Sequence, residues 1–327
     1  MKRRTFILTV LAGSSLALTA SCRDMSAPNQ TDLVEGSGGD VVMISLQSGD
    51  AEMTIIPEMG GGIGSLSMGE RPILRPWSGE VADGPFELAS IILIPFTNRL
   101  TDGIVWKGQH YDIPQNIEGA ELPLHGDAFQ RPWQISETSG NIAEIVLPNG
   151  SNGPFKYSAK QKFELSDNSV KITLSITNEA DIELPYGFGF HPWFPRDEDT
   201  KLTFKADKVG LQNEMDMPDE YIPIAQNPYW DYSQGKVIPK TEKYINNDFT
   251  GWDRVATLEQ GQRFTSVKMT ASENLSTAMM YTPAWPSDIV CFEPVSHQID
   301  ATRVEGAPGM IALQPKETVS AWMKLEW

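Results

Sequence analysis

With 327 residues, 40% of them hydrophobic, the chain has room for one large domain or two smaller ones and ample material for a core. Its 27 Gly and 23 Pro are spread along the chain, which suits many short strands and turns better than long helices. A formal charge of −17 and a pI near 4.6 argue against a nucleic-acid partner, because phosphate binding needs basic patches.

The first 21 residues read as an export signal. Lys2, Arg3 and Arg4 form a basic start, and Phe6 to Leu18 is an apolar run too short to span a membrane as a stable helix. Leu18-Thr19-Ala20-Ser21-Cys22 resembles a bacterial lipoprotein signal with Cys22 as the lipidated residue. An ordinary signal peptide cut near Cys22 is the alternative. Arg3-Arg4-Thr5-Phe6-Ile7 also resembles a twin-arginine export motif, with Lys2 where serine or threonine is usual. Arg23 rather than aspartate follows Cys22, which favours the outer membrane of a Gram-negative cell, with the domain facing the periplasm. Loss of the signal leaves 23 basic and 43 acidic residues, a charge of −20. The segment 22–40 is rich in Ser, Gly, Asn and Asp and reads as a tether, so the domain is expected over 41–327.

From Val42 the chain shows apolar runs broken by turns. Val42 to Ile56 reads as a hairpin around Gln47-Ser48-Gly49-Asp50. Gly60-Gly61-Gly62 is a turn and not a phosphate loop, since no lysine or helix follows. Ile91 to Ile94 is a buried strand ending in Pro95-Phe96-Thr97-Asn98-Arg99. Arg99 either presents a planar donor fork or makes a surface salt bridge. Val105 to Pro114 reads as a hairpin containing His110, and Leu122 to Phe129 contains His125-Gly126. Ala143–Leu147, Tyr157–Leu165 and Val170–Asn178 alternate apolar and polar residues, as strands with one solvated face do.

Tyr186 to Pro195, Tyr-Gly-Phe-Gly-Phe-His-Pro-Trp-Phe-Pro, alternates glycine with aromatic residues up to His191. The glycines predict a close approach to the backbone, and a sugar ring fits such a surface, with Trp193 and Phe194 beside it. A tightly packed strand with a structural histidine is the alternative. Gln212 to Lys243 reads as a surface excursion. Ile289-Val290-Cys291-Phe292-Glu293-Pro294 places a carboxylate at the end of a buried strand, where it must pair with a cation or do chemistry. Cys291 reads as a buried strand residue and His297 as a solvated loop histidine. Two cysteines and four scattered histidines give no zinc spacing, so no metal is expected.

Asn98-Arg99, His125-Gly126, His191-Pro192 and Glu293-Pro294, in this order, resemble the aldose 1-epimerase (galactose mutarotase-like) family from about Val41 to Trp327. The segment Asn246 to Asp253 resembles a stretch common in its bacterial members. The resemblance implies an all-β fold, a large antiparallel β-sandwich with an open sugar cleft and no cofactor. It also implies Glu293 as general base, His191 as general acid, and Arg99 and His125 holding the sugar, with Asn98 and Asn246 as further substrate contacts. Many members carry aspartate where Asn246 stands, which puts the sugar's identity in question. Asp248 or Asp253 is a candidate substitute.

The chemistry is self-consistent. Exchanging α and β anomers needs a base at the C1 hydroxyl and an acid at the ring oxygen. Mutual attraction is expected to keep Glu293 ionised and His191 protonated. A glycoside hydrolase needs a second carboxylate, for which Asp127 and Asp248 are the weak candidates. A non-catalytic carbohydrate-binding protein on the same sandwich is a further alternative. A hexose-phosphate epimerase would gather several basic groups.

Overall fold

The computed structural model describes residues 32–35, 41–260 and 266–327. The expected signal peptide and Cys22 lie outside the described residues. Two large sheets dominate, and every strand ladder among the described residues is antiparallel. The first sheet runs, from edge to edge, through Asp32–Glu35, Val42–Ser48, Ala51–Ile56, Gly62–Met68, Ser90–Leu93, Gly189–Pro195, Ile289–Val295, Thr277–Thr282, Ile245–Thr250, Lys208–Gln212 and Pro218–Pro223. The second is built around Thr318–Glu326, Ser169–Asn178, Phe155–Ser166 and Ile142–Asn152. This is the expected all-β sandwich.

The two sheets differ in how they are covered. On Ser169–Asn178 buried and half-buried residues alternate strictly, so one face meets the core and the other meets water. The centre of the first sheet is buried on both faces. Phe190, Phe194, Val290 and Phe292 point into the main core between the sheets. Ile91, Leu93, Trp193, Met279, Cys291 and Val295 form a second apolar cluster on the opposite face. Double burial is why Ile91–Ile94 and Ile289–Phe292 read as unbroken apolar runs rather than as alternation. The period of two then decides which side chains share the second face. His191 goes with Trp193, and Glu293 goes with Cys291 and Val295. Phe194, expected beside the sugar, instead faces the core.

Three further expectations are amended. Within the expected tether, Asp32–Glu35 pairs with Val42–Ser45 as an edge strand. The excursion over 212–243 contains the strand Pro218–Pro223, paired with Lys208–Gln212. The bare face made by Gly187 and Gly189 is filled from within the protein. A Cβ on Gly187 would lie 2.2 Å from the His297 ring, and one on Gly189 would lie 2.7 Å from Val295 Cγ1. His297 is therefore not a solvated loop residue; it is 1% exposed. Its Nε2 accepts the Thr97 N–H at 3.1 Å and its Nδ1–H donates to the Gln298 carbonyl at 2.7 Å, which fixes a neutral ring. Burial pushes its pKa down to about 4.

A ring pinned at both nitrogens cannot yield to a methyl group. Gly187→Ala is expected to destabilise the protein by about 1–3 kcal/mol, the range for overpacking, read from the urea midpoint.

Candidate active site

The register of two neighbouring strands builds the centre of the site. Gly189 pairs with Val295 and Trp193 with Cys291, so the ladder between them sets His191 across from Glu293. His191 Nε2 lies 3.3 Å from Glu293 Oε1. Both residues are buried, at 6% and 2% exposure. The next strands extend two transverse rows across the sheet. Glu293 pairs with Met279, which pairs with Asp248; Cys291 pairs with Tyr281, which pairs with Asn246. Trp193 stacks on the His191 imidazole, with centroids 4.0 Å apart and planes 21° from parallel.

The loops after Ile94 and around His125 form the wall above this floor. His125 lies edge-on to His191, 5.4 Å between centroids. Asn98 and His125 both take positive φ, at 55° and 62°, conformations that cost about 1–3 kcal/mol each outside glycine. They hold each other there. Asn98 N–H donates to His125 Nδ1 at 3.0 Å, and His125 N–H donates to the Asn98 carbonyl at 2.9 Å. Because Nδ1 accepts, the proton of neutral His125 sits on Nε2. Gly126 completes the turn at φ 70°; a Cβ there would stand 1.9 Å from the Ile94 carbonyl oxygen.

Arg99, the next residue, is oriented by three contacts. Its N–H donates to Asn98 Oδ1 at 2.9 Å, its Nη1 to the same oxygen at 3.4 Å, and its Nη2 pairs with Asp216 at 3.0 Å. Asn98 thus spends its carbonyl on Arg99. Together these groups enclose a cleft of about 450 Å³ lined by Arg75, Asn98, Arg99, His125, His191, Trp193, Asn246, Tyr281 and Glu293, among others. That is room for a monosaccharide-sized ligand.

A family model described as aldose 1-epimerase matches residues 42–326. The chain belongs to the aldose 1-epimerase family. An Escherichia coli K12 relative, the uncharacterized protein YphB, is 30% identical over 282 residues, which cover 83% of this chain and 95% of YphB. Among solved structures, a galactose mutarotase-like protein from Clostridium acetobutylicum superposes with a TM-score of 0.77 at 21% identity, over 87% of this chain and 94% of its own. A galactose 1-epimerase from Lactobacillus acidophilus does so at 0.71 and 15% identity, over 91% of this chain and 98% of its own. At these identities the two structures establish the shared fold.

In this family member the sequence-predicted residues Asn98, Arg99, His125, His191, Asn246 and Glu293 all line one cleft. Other candidates fall elsewhere. Asp127 lies outside it, accepting hydrogen bonds from Tyr157 at 2.6 Å and from Arg131. Asp248, on the same strand as Asn246, is fully buried and held by the Tyr221 hydroxyl and the Ile299 N–H. Asp253 is exposed and closes a turn onto the Val255 N–H. Neither aspartate is therefore a substitute at Asn246. His110 is exposed beside Asp102. Two residues went unnoticed in the sequence. Asp216, from the excursion, faces Arg99. Arg75 lies over Trp193, 5.0 Å from the ring centroid, and donates to the carbonyls of Phe86 and Leu88. Its setting, between Ile73-Leu74 and Pro76-Trp77, is the same apolar context that drew attention to Arg99.

The electrostatics overturn the expected charge state. Burial raises the Glu293 carboxyl to about 8, against a smaller opposing pull from Arg99. Burial lowers His191 to about 3, with Arg75 adding to the effect. Burial, then His191 and Arg99, hold His125 well below the usual histidine range. Desolvation thus pushes both partners of the His191–Glu293 pair toward their uncharged forms, with the proton favoured on the carboxyl.

Stability should report this. In the unfolded chain Glu293 titrates near 4.5 and His191 near 6.5, against about 8 and 3 when folded. Between pH 4.5 and 6.5 both states hold one proton on the pair, so its contribution is flat. From 6.5 to 8 the folded chain holds a proton that the unfolded chain has lost, so stability falls as pH rises. The Glu293→Gln variant is expected to lack that fall, as measured by urea unfolding at pH 5.5, 7 and 8.5.

Proposed function

We propose that the chain interconverts the α and β anomers of a neutral aldohexose, with Glu293 as base and His191 as acid. The observation that carries this reading is the buried His191–Glu293 pair, 3.3 Å apart on the floor of a sugar-sized cleft. Ring opening needs one group to accept a proton and one to donate. Transfer of the shared proton from carboxyl to imidazole gives the carboxylate and imidazolium that the reaction uses. Arg99 favours the carboxylate electrostatically. The base then takes the C1 hydroxyl proton, the acid protonates the ring oxygen, and the C1–O5 bond breaks to the aldehyde. Rotation about C1–C2 and the reverse transfers close the ring as the other anomer. His125 Nε2–H and the Arg99 guanidinium supply donors to sugar oxygens along the wall.

Two observations favour this over the alternatives. A glycosidase needs a second catalytic carboxylate; Asp127 and Asp248 are both engaged outside the cleft, and Glu87, which does line it, is paired with Arg75. A sugar phosphate needs spare cationic charge, whereas Arg75 and Arg99 each already face a carboxylate, Glu87 at 3.6 Å and Asp216 at 3.0 Å. The carboxamide of Asn246 in place of a carboxylate leaves a weaker hydroxyl acceptor at that wall.

Polarimetry on fresh α-D-glucose and α-D-galactose tests the reading. Glu293→Gln and His191→Asn are each expected to lower kcat/KM by roughly 10²–10⁴, the usual weight of general acid–base catalysis. Wild-type activity should fall above about pH 8, where the pair loses its proton. Sugar binding that survives Glu293→Gln, with no acceleration by wild type, would replace the enzyme by a binding protein. For the amino terminus we propose export and lipidation at Cys22. A soluble protein with unmodified Cys22 after membrane fractionation would reject the anchor.

A further inference from the structure

The fold assembles a donor set that no stretch of the sequence contains. His191, Cys291 and Glu293 each bring one metal-ligating atom to a common point, and those three atoms lie within 4.8 Å of one another. Cys291 and Glu293 are two apart on one strand and so share a face, and His191 stands across the ladder. All three are buried, and the second carboxyl oxygen, Glu293 Oε2, has no hydrogen-bond partner among the described residues. Thiolate, imidazole and carboxylate together are the ligands of zinc, and three protein ligands with one side open is the pattern of an accessible zinc site.

We propose that the catalytic floor is also a binding site for a thiophilic divalent cation, Zn2+ above all, and that its occupation shuts the enzyme down. A tetrahedral ion with bonds of 2.0–2.3 Å sets its ligands about 3.3–3.8 Å apart. The 3.3 Å between His191 Nε2 and Glu293 Oε1 already matches. The thiol needs to close by about 1 Å, within the reach of a χ1 adjustment. The ion enters through the cleft, which His191 and Glu293 line, so it competes there with the sugar. On coordination the Cys291 thiol releases its proton to solvent and the shared proton of the His191–Glu293 pair leaves with it. The cation thereby removes the acid and the base together. The inhibition rests on the proposed function; the binding does not.

Calorimetry with Zn2+ on the purified protein separates the two. One ion per chain is expected, with affinity weakened at least tenfold in both Cys291→Ser and Cys291→Ala. Each variant should keep wild-type mutarotation in the presence of a chelator, which also shows that it folds. In wild type, rising sugar concentration should relieve zinc inhibition. Zinc binding that is unchanged in both cysteine variants, or absent up to millimolar ion, would overturn the site. Absence of mutarotation with cysteine-dependent zinc binding intact would instead overturn the proposed function alone.

Discussion

A carboxyl and an imidazole, both almost fully buried, face each other across two central strands. The rest of the structure depends on that placement. Putting ionisable groups on the middle strands of a sandwich is costly, and burial pushes both toward their uncharged forms, which lowers the cost. Trp193 stacks on the imidazole, and Arg75 lies over the Trp193 ring. In the proposed reaction, the same desolvation that favours the protonated carboxyl makes the carboxylate a strong base once the proton is passed on.

The wall has a different origin. Three successive N–H groups, of Thr97, Asn98 and Arg99, each donate to a side chain: His297, His125 and Asn98 itself. Two neutral imidazoles act as fixed acceptors on either side of a loop that, with its partner turn, carries two positive φ values outside glycine. Strain of this kind persists only where surrounding contacts over-determine it. The donors that line the cleft are thereby aimed by backbone hydrogen bonds rather than by side-chain packing alone.

Much of this was legible in the amino-acid sequence. Many short strands followed from runs punctuated by Gly and Pro, the sandwich followed from the family resemblance, and Glu293 stood out as a carboxyl ending an apolar strand. The glycines at 187 and 189 signalled a close approach, but a sequence cannot say what approaches; His297, over a hundred residues away, fills the gap. Asp216 was hidden for a similar reason. It sits in a polar excursion whose path over the cleft is a tertiary fact, and its partner Arg99 is far upstream. The charge state was misjudged because attraction between two groups can be read from their proximity, whereas burial depends on every strand around them.

The transverse rows across the first sheet have a kinetic meaning. Arg75, Arg99, His125, His191, Asn246 and Glu293 arrive on strands or loops from nearly the whole length of the domain, and no hairpin contains more than a fragment of the cleft. Pairings this remote in sequence are slow to form, because chain closure must precede the contacts that reward it. A nascent or partly folded chain therefore offers no half-built version of the cleft. Recovery of the proposed activity during refolding would follow the last long-range strand to dock, making that activity a reporter of the completed topology.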